Sequence, residues 1–112
     1  MSDVSPEEFG RVELRAGTVV SVEIFQGARI PAYLIRADFG PEVGVKLTSS
    51  RVTDLYAPGD LLGRQIIGVV NLPRKRVGSV WSEFLLTGFT QADGTVVIAV
   101  PERTVDNGLR LE

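Results

Sequence analysis

Apolar and polar residues alternate with period two along most of this chain, and the alternating stretches are short. Across residues 18–25, Val20, Val22 and Ile24 alternate with Val19, Ser21 and Glu23, the pattern of a half-buried strand. Residues 32–39 place Tyr33, Ile35, Ala37 and Phe39 on one face, with Leu34, Arg36 and Asp38 on the other. Residues 43–48, 65–71, 83–89 and 95–100 read as further strands, and Gly44 suggests a bulge or sharp bend in the third. Gly40-Pro41-Glu42 turns the chain between the second and third. Ala92-Asp93-Gly94 is a tight-turn signal that pairs the fifth strand with the sixth as a hairpin.

Two stretches break this period. Ser5-Pro6-Glu7-Glu8 is a helix start, with Ser5 as N-cap, Pro6 in the first turn and Glu8 completing a capping box. Gly10 keeps that helix short, and Phe9 and Val12 form its apolar side. Residues 49–56 put Val52, Leu55 and Tyr56 on one helical face, with Ser49 or Ser50 as cap and Ala57-Pro58-Gly59-Asp60 as stop. Short strands, a helix after the third and a helix at the N-terminus predict an all-β fold. The architecture that fits best is a five-stranded Greek-key OB barrel with extra C-terminal strands. A β-sandwich is the alternative, and it would not need the helix after strand three. No repeat, low-complexity segment or linker interrupts the sequence, so residues 1–112 read as a single domain.

The stretch 69–89 stands apart. Its ends are apolar and strand-like, but Asn71, Pro73, Gly78 and Ser79 are turn residues. Between them lie Arg74-Lys75-Arg76, the one run of consecutive cations, and Trp81, the only tryptophan. A cationic loop beside an aromatic reads as a recognition surface; the competing reading is a solvated hairpin loop. Trp81 reads as ligand site or dimer surface and Tyr33 as core. Ser82 and Glu83 read as hydrogen-bonding groups at the mouth of a site, or as ordinary strand-end partners. The candidate peptide site is Trp81, Phe84, Ser82, Glu83, Asn71 and Lys46. The candidate nucleic-acid site is Arg74, Lys75, Arg76, Lys46 and Arg36.

Composition removes most other chemistry. Net charge is −2, so anion binding has to come from a local patch. There is no cysteine and no histidine, hence no thiolate nucleophile, no usual general base and no common zinc set. Acidic residues that are close in sequence sit at helix starts and turns, where capping and solubility explain them. No enzyme activity, metal or cofactor is expected. Apolar runs are too short to span a membrane. The acidic, polar N-terminus is unlike a signal peptide, so a cytoplasmic protein is expected.

The segments 27–56 and 58–73, then Ser79-Val80-Trp81-Ser82-Glu83-Phe84-Leu85-Leu86-Thr87-Gly88-Phe89 and the end 100–111, resemble the CsaA family of protein-export chaperones. That family lies within the group of tRNA-binding OB domains, which also occur appended to some methionyl- and phenylalanyl-tRNA synthetases. The resemblance implies an OB fold, a homodimer without enzyme activity, and binding of unfolded or presecretory polypeptide. A non-catalytic tRNA-binding module is the alternative. Leu72-Pro73-Arg74-Lys75-Arg76 is closer to the tRNA-binding branch, while Phe84-Leu85 after Ser82-Glu83 is CsaA-like. A dimer would also cover Phe9, Val12, Leu109 and Leu111, for which so small a chain has little core, and it makes residues 1–12 a dimerisation helix.

Overall fold

The computed structural model describes residues 1–112. Five strands form one antiparallel sheet: β1 (Leu14–Ile24), β2 (Tyr33–Asp38), β3 (Val45–Ser50), β4 (Gln65–Val69) and β7 (Leu85–Leu86). Their order is β3-β2-β1-β4-β7. Its two ends meet where the Glu83 N–H donates to the Leu47 carbonyl (2.7 Å), nearly closing an OB-like barrel. The long β1 serves both halves. Its first residues pair with β4 (Leu14 with Val69, Thr18 with Gln65), and its later ones pair with β2 (Thr18 with Asp38, Ile24 with Tyr33).

A bulge between Val19 and Ser21 interrupts this second pairing. It revises the simple alternation expected for residues 18–25. Val19 points into the core, Val20 and Ile24 are exposed, and Val22 turns inward again. Strand β2 follows its sequence pattern throughout, with Tyr33, Ile35 and Ala37, and then Phe39, all buried. The Tyr33 hydroxyl donates to the Tyr56 carbonyl (2.7 Å), and the Ile98 N–H donates to the Tyr56 hydroxyl (3.0 Å). Tyr33 is therefore core.

The N-terminal helix α1 (Pro6–Gly10) has the expected capping box. The Glu8 N–H donates to Ser5 Oγ and the Ser5 N–H donates to Glu8 Oε1, both at 3.1 Å. Two other short helices correct the sequence reading. Gly40-Pro41-Glu42 is not a plain turn but opens α2 (Gly40–Val43), and Gly44, at φ +85°, ends that helix instead of bulging a strand. Residues 49–56 are not helical. Ser49 and Ser50 finish β3, where they pair with Leu34 and Tyr33, and turns follow. The helix after the third strand is α3 (Pro58–Leu61), built from the residues expected to stop one. Pro58 suits the first turn of a helix, and the Asp60 carboxylate accepts from the Ala57 N–H (2.8 Å). Leu61 then buries under the barrel.

Residues 83–89, read as one strand, divide into β7 and β8 (Gly88–Thr90). β8 pairs with β9 (Val96–Ile98) as the expected hairpin. The C-terminal tail returns to β1, where Arg110 bridges Arg15 and the Leu111 N–H donates to the Leu14 carbonyl (2.8 Å). No helix is long and apolar enough to cross a membrane.

Candidate functional site

The stretch read as a loop is a hairpin. Strands β5 (Lys75–Val77) and β6 (Val80–Ser82) pair in the register Lys75–Ser82, Arg76–Trp81 and Val77–Val80. Gly78, at φ +56°, takes the first position of the two-residue turn with Ser79. Glycine there is what a type II′ hairpin turn requires. The Gly-Ser dipeptide between two valines was the available sequence signal for this hairpin.

Paired residues of a hairpin project to the same face, and neighbours along a strand project to opposite faces. The register therefore splits the basic triplet. Arg76 and Trp81 share one face with Arg74. The Trp81 ring, 41% exposed, lies with the Arg74 guanidinium 4.4 Å and the Arg76 guanidinium 5.6 Å from its centre. Arg76 is held there by its Nε–H, which donates to the Gly78 carbonyl (2.9 Å). The result is a cation–π cluster exposed to solvent.

Lys75, Val77 and Ser82 take the other face. They line a groove of about 410 Å³ together with Ser49, Arg51 and Leu85. Trp81 lies outside this groove, so the peptide site expected to combine it with Phe84, Ser82 and Glu83 is divided between two surfaces.

The remaining sequence candidates have mostly structural duties. Phe84 is 4% exposed and meets the Phe39 ring edge-on at 5.0 Å, so it contributes to the core far more than to the groove wall. The Glu83 carboxylate accepts from the Leu47 N–H (3.0 Å), and Ser82 Oγ shares a hydrogen bond with Thr48 Oγ1 (3.0 Å). These contacts satisfy the barrel closure, although both residues also line the groove.

Asn71 is not at the site. Its Oδ1 accepts from the Glu13 N–H (2.9 Å) and its Nδ2 donates to the Arg11 carbonyl (2.6 Å), latching the segment after α1 to the end of β4. Arg36 is paired with Glu23 at 3.2 Å, and Lys46, with no ion pair, lies outside the groove lining; neither joins the basic hairpin. Arg51, which the sequence reading passed over, stands in the groove. A lone cation after a strand carries no signal of its own.

Phe9, Val12, Leu109 and Leu111 are all exposed. The Arg110 guanidinium ties the tail that carries the two leucines to α1, donating to the Gly10 carbonyl and pairing with Glu13 at 3.3 Å. The hydrogen bond from Arg15, aided by the charge of Arg110, holds the Glu13 carboxyl below its usual range. No group of three or more acidic side chains is gathered that could hold a metal ion.

The fold and full length of the chain match solved chaperone structures. The crystal structure of chaperone CsaA from Bacillus anthracis is 40% identical, covers 99% of this chain and 100% of its own, and superposes with a TM-score of 0.93. The CsaA chaperone protein from Picrophilus torridus is 30% identical over 98% of this chain and 100% of its own, with a TM-score of 0.91. Methionine–tRNA ligase of Porphyromonas gingivalis is 27% identical over 98% of this chain, which spans 16% of that protein's length. No protein-family profile matches the chain.

Proposed function

The chain belongs to the CsaA family, and on that premise we propose that it is a cytoplasmic chaperone that binds unfolded or presecretory polypeptides as a homodimer. The full-length likeness to two chaperones carries this reading. The groove beside Lys75 and Arg51 offers a surface for an extended chain, with apolar Val77 and Leu85 in its wall. Burial of apolar side chains tolerates salt. Binding to an unfolded preprotein should therefore fall no more than about tenfold between about 0.05 and 0.5 M salt, far less than a phosphate-driven complex would. Titration by fluorescence anisotropy checks this, and a preprotein that fails to bind at either salt would refute the chaperone reading.

Homodimerisation would cover the exposed Phe9 of α1, Val12 just beyond its end, and Leu109 and Leu111 of the tail that Arg110 ties to Gly10. An interface of roughly 1,200 Å² or more in total is expected. Sedimentation at micromolar concentration should give a dimer. Deletion of residues 1–12 should shift it toward monomer while the barrel's circular dichroism persists; a full-length chain that sediments as a monomer contradicts this.

A second reading, a non-catalytic tRNA-binding module, has its own support in the Arg74–Trp81–Arg76 cluster. Guanidinium groups beside an exposed indole suit phosphate contact and base stacking. The two readings use opposite faces of one hairpin, so a single chain can carry both.

A further inference from the structure

Three clefts run into one another across the face that holds the groove. The first lies by the β1–β2 loop, walled by Phe25, Arg29 and Ile30. The second is the groove under the β5–β6 hairpin. The third reaches the β8–β9 hairpin at Gly88, Thr90 and Val96. Consecutive clefts share walls: Ser49 and Val77 join the first to the second, and Ser50 and Leu85 join the second to the third. Arg51 alone lines all three. They form one trough with Arg51 at its centre.

The charge along this trough is one-sided. Arg29, Arg51 and Lys75 line it, and none of them takes part in any of the ion pairs of the structure. The only acid in the walls is Glu83, whose carboxylate already accepts from the Leu47 N–H. Exposed apolar side chains flank the central cation, Ile30 on one arm and Leu85 on the other. A protein of net charge −2 has thus gathered three unpaired cations against a single acid, Glu83, along one apolar-edged track.

From this arrangement we infer that the trough selects extended polypeptide segments in which an acidic residue is flanked by apolar ones, with the carboxylate placed on Arg51. This rests on the chaperone reading and narrows its clients. A guanidinium presents a planar fork of donors that matches a carboxylate, and the apolar neighbours would lie toward Ile30 and Leu85. A segment with lysine at the same place would meet three like charges.

The test uses the full-length protein and three labelled unstructured peptides, identical except for a central Glu, Gln or Lys among Leu and Ala. The Glu peptide should bind about tenfold more tightly than the Gln peptide, and the Lys peptide more weakly than either. Arg51→Gln should remove the advantage of Glu over Gln and leave the Gln peptide unchanged. Arg51→Glu should reverse the order of Glu and Lys. Arg51 is exposed and unpaired, so both variants should keep the parent melting temperature.

Equal binding of the three peptides, with an unfolded preprotein still bound, would overturn the selectivity and leave the chaperone reading standing. Failure of the preprotein as well as the peptides would overturn both. If Arg51→Gln instead weakens binding of polyuridylate and leaves the Glu peptide unaffected, the trough serves RNA and the inference falls.

Discussion

Phe39→Ala should cost about 3–5 kcal/mol and lower the melting temperature by roughly 15 °C. Phe39 is 0% exposed at the centre of the barrel, packed edge-to-face with Phe84 at 5.0 Å between ring centres. Two glycines make room for it. A Cβ added at Gly17 on β1 would stand 2.7 Å from the ring, and one added at Gly68 on β4 would stand 2.8 Å from it. Those positions bear no side chain because the ring occupies the space.

Removing the ring leaves a cavity that backbone on two strands cannot collapse to fill. The whole domain is held by about 5–15 kcal/mol, so the loss is a large part of the total. Phe39→Leu should recover about half of it by filling most of the volume. Chemical denaturation measures both variants. A loss below about 1 kcal/mol for Phe39→Ala would mean that the core does not depend on this ring.

The second large effect concerns the hairpin. The double substitution Arg74→Ser and Arg76→Ser should weaken binding of bulk tRNA by about tenfold or more at about 0.1 M salt. It should also flatten the salt dependence by a slope of roughly 0.7–0.9 for each phosphate that the variant no longer neutralises. Both guanidinium groups contact Trp81, the only tryptophan, so its emission should shift in the same variant without ligand.

Trp81→Ala should also lower tRNA affinity, by about 1–3 kcal/mol if a base stacks on the indole. It should leave preprotein binding intact, because the ring lies outside the groove. Both variants should fold, as the cluster is exposed. Lys75→Ser serves as the control. Its side chain is on the groove face, so it should reduce tRNA binding much less than the double variant. An equal loss from Lys75→Ser would mean that tRNA does not distinguish the two faces.

Much of the fold is legible in the sequence where the signal is local. The Ser5–Glu8 capping box needs only residues three apart. The inward set Tyr33, Ile35, Ala37 and Phe39 needs only strict alternation, and both are present as read. Asp93-Gly94 likewise marks a turn that the β8–β9 pairing uses. Pro58 and Asp60 were equally local signals of a helix start, but residues 49–56 carried a competing helical period. Pairing of Ser49 and Ser50 with β2 overrides that period, because strand hydrogen bonds there satisfy the backbone along the barrel edge.

The candidate site was legible in its ingredients and not in its arrangement. Arg74, Lys75, Arg76 and Trp81 are conspicuous in the chain, yet their division depends on cross-strand register. A shift of one residue would exchange the two faces. Asn71, Ser82 and Glu83 look like site residues from their types alone. Tertiary structure turns them into a latch on the N-terminal segment and a clasp on β3, since backbone groups from residues far along the chain arrive within hydrogen-bond reach. Arg51 is the reverse case. Nothing in its neighbours marks it, and it gains its place only because β3, the β5–β6 hairpin and β7 converge there. Sequence by itself determined the inward face of β2, the capped start of α1 and the lack of thiol and imidazole chemistry, because those follow from local patterning and composition. Only the tertiary structure decided which cations face the same way, because that depends on contacts between segments distant in the chain.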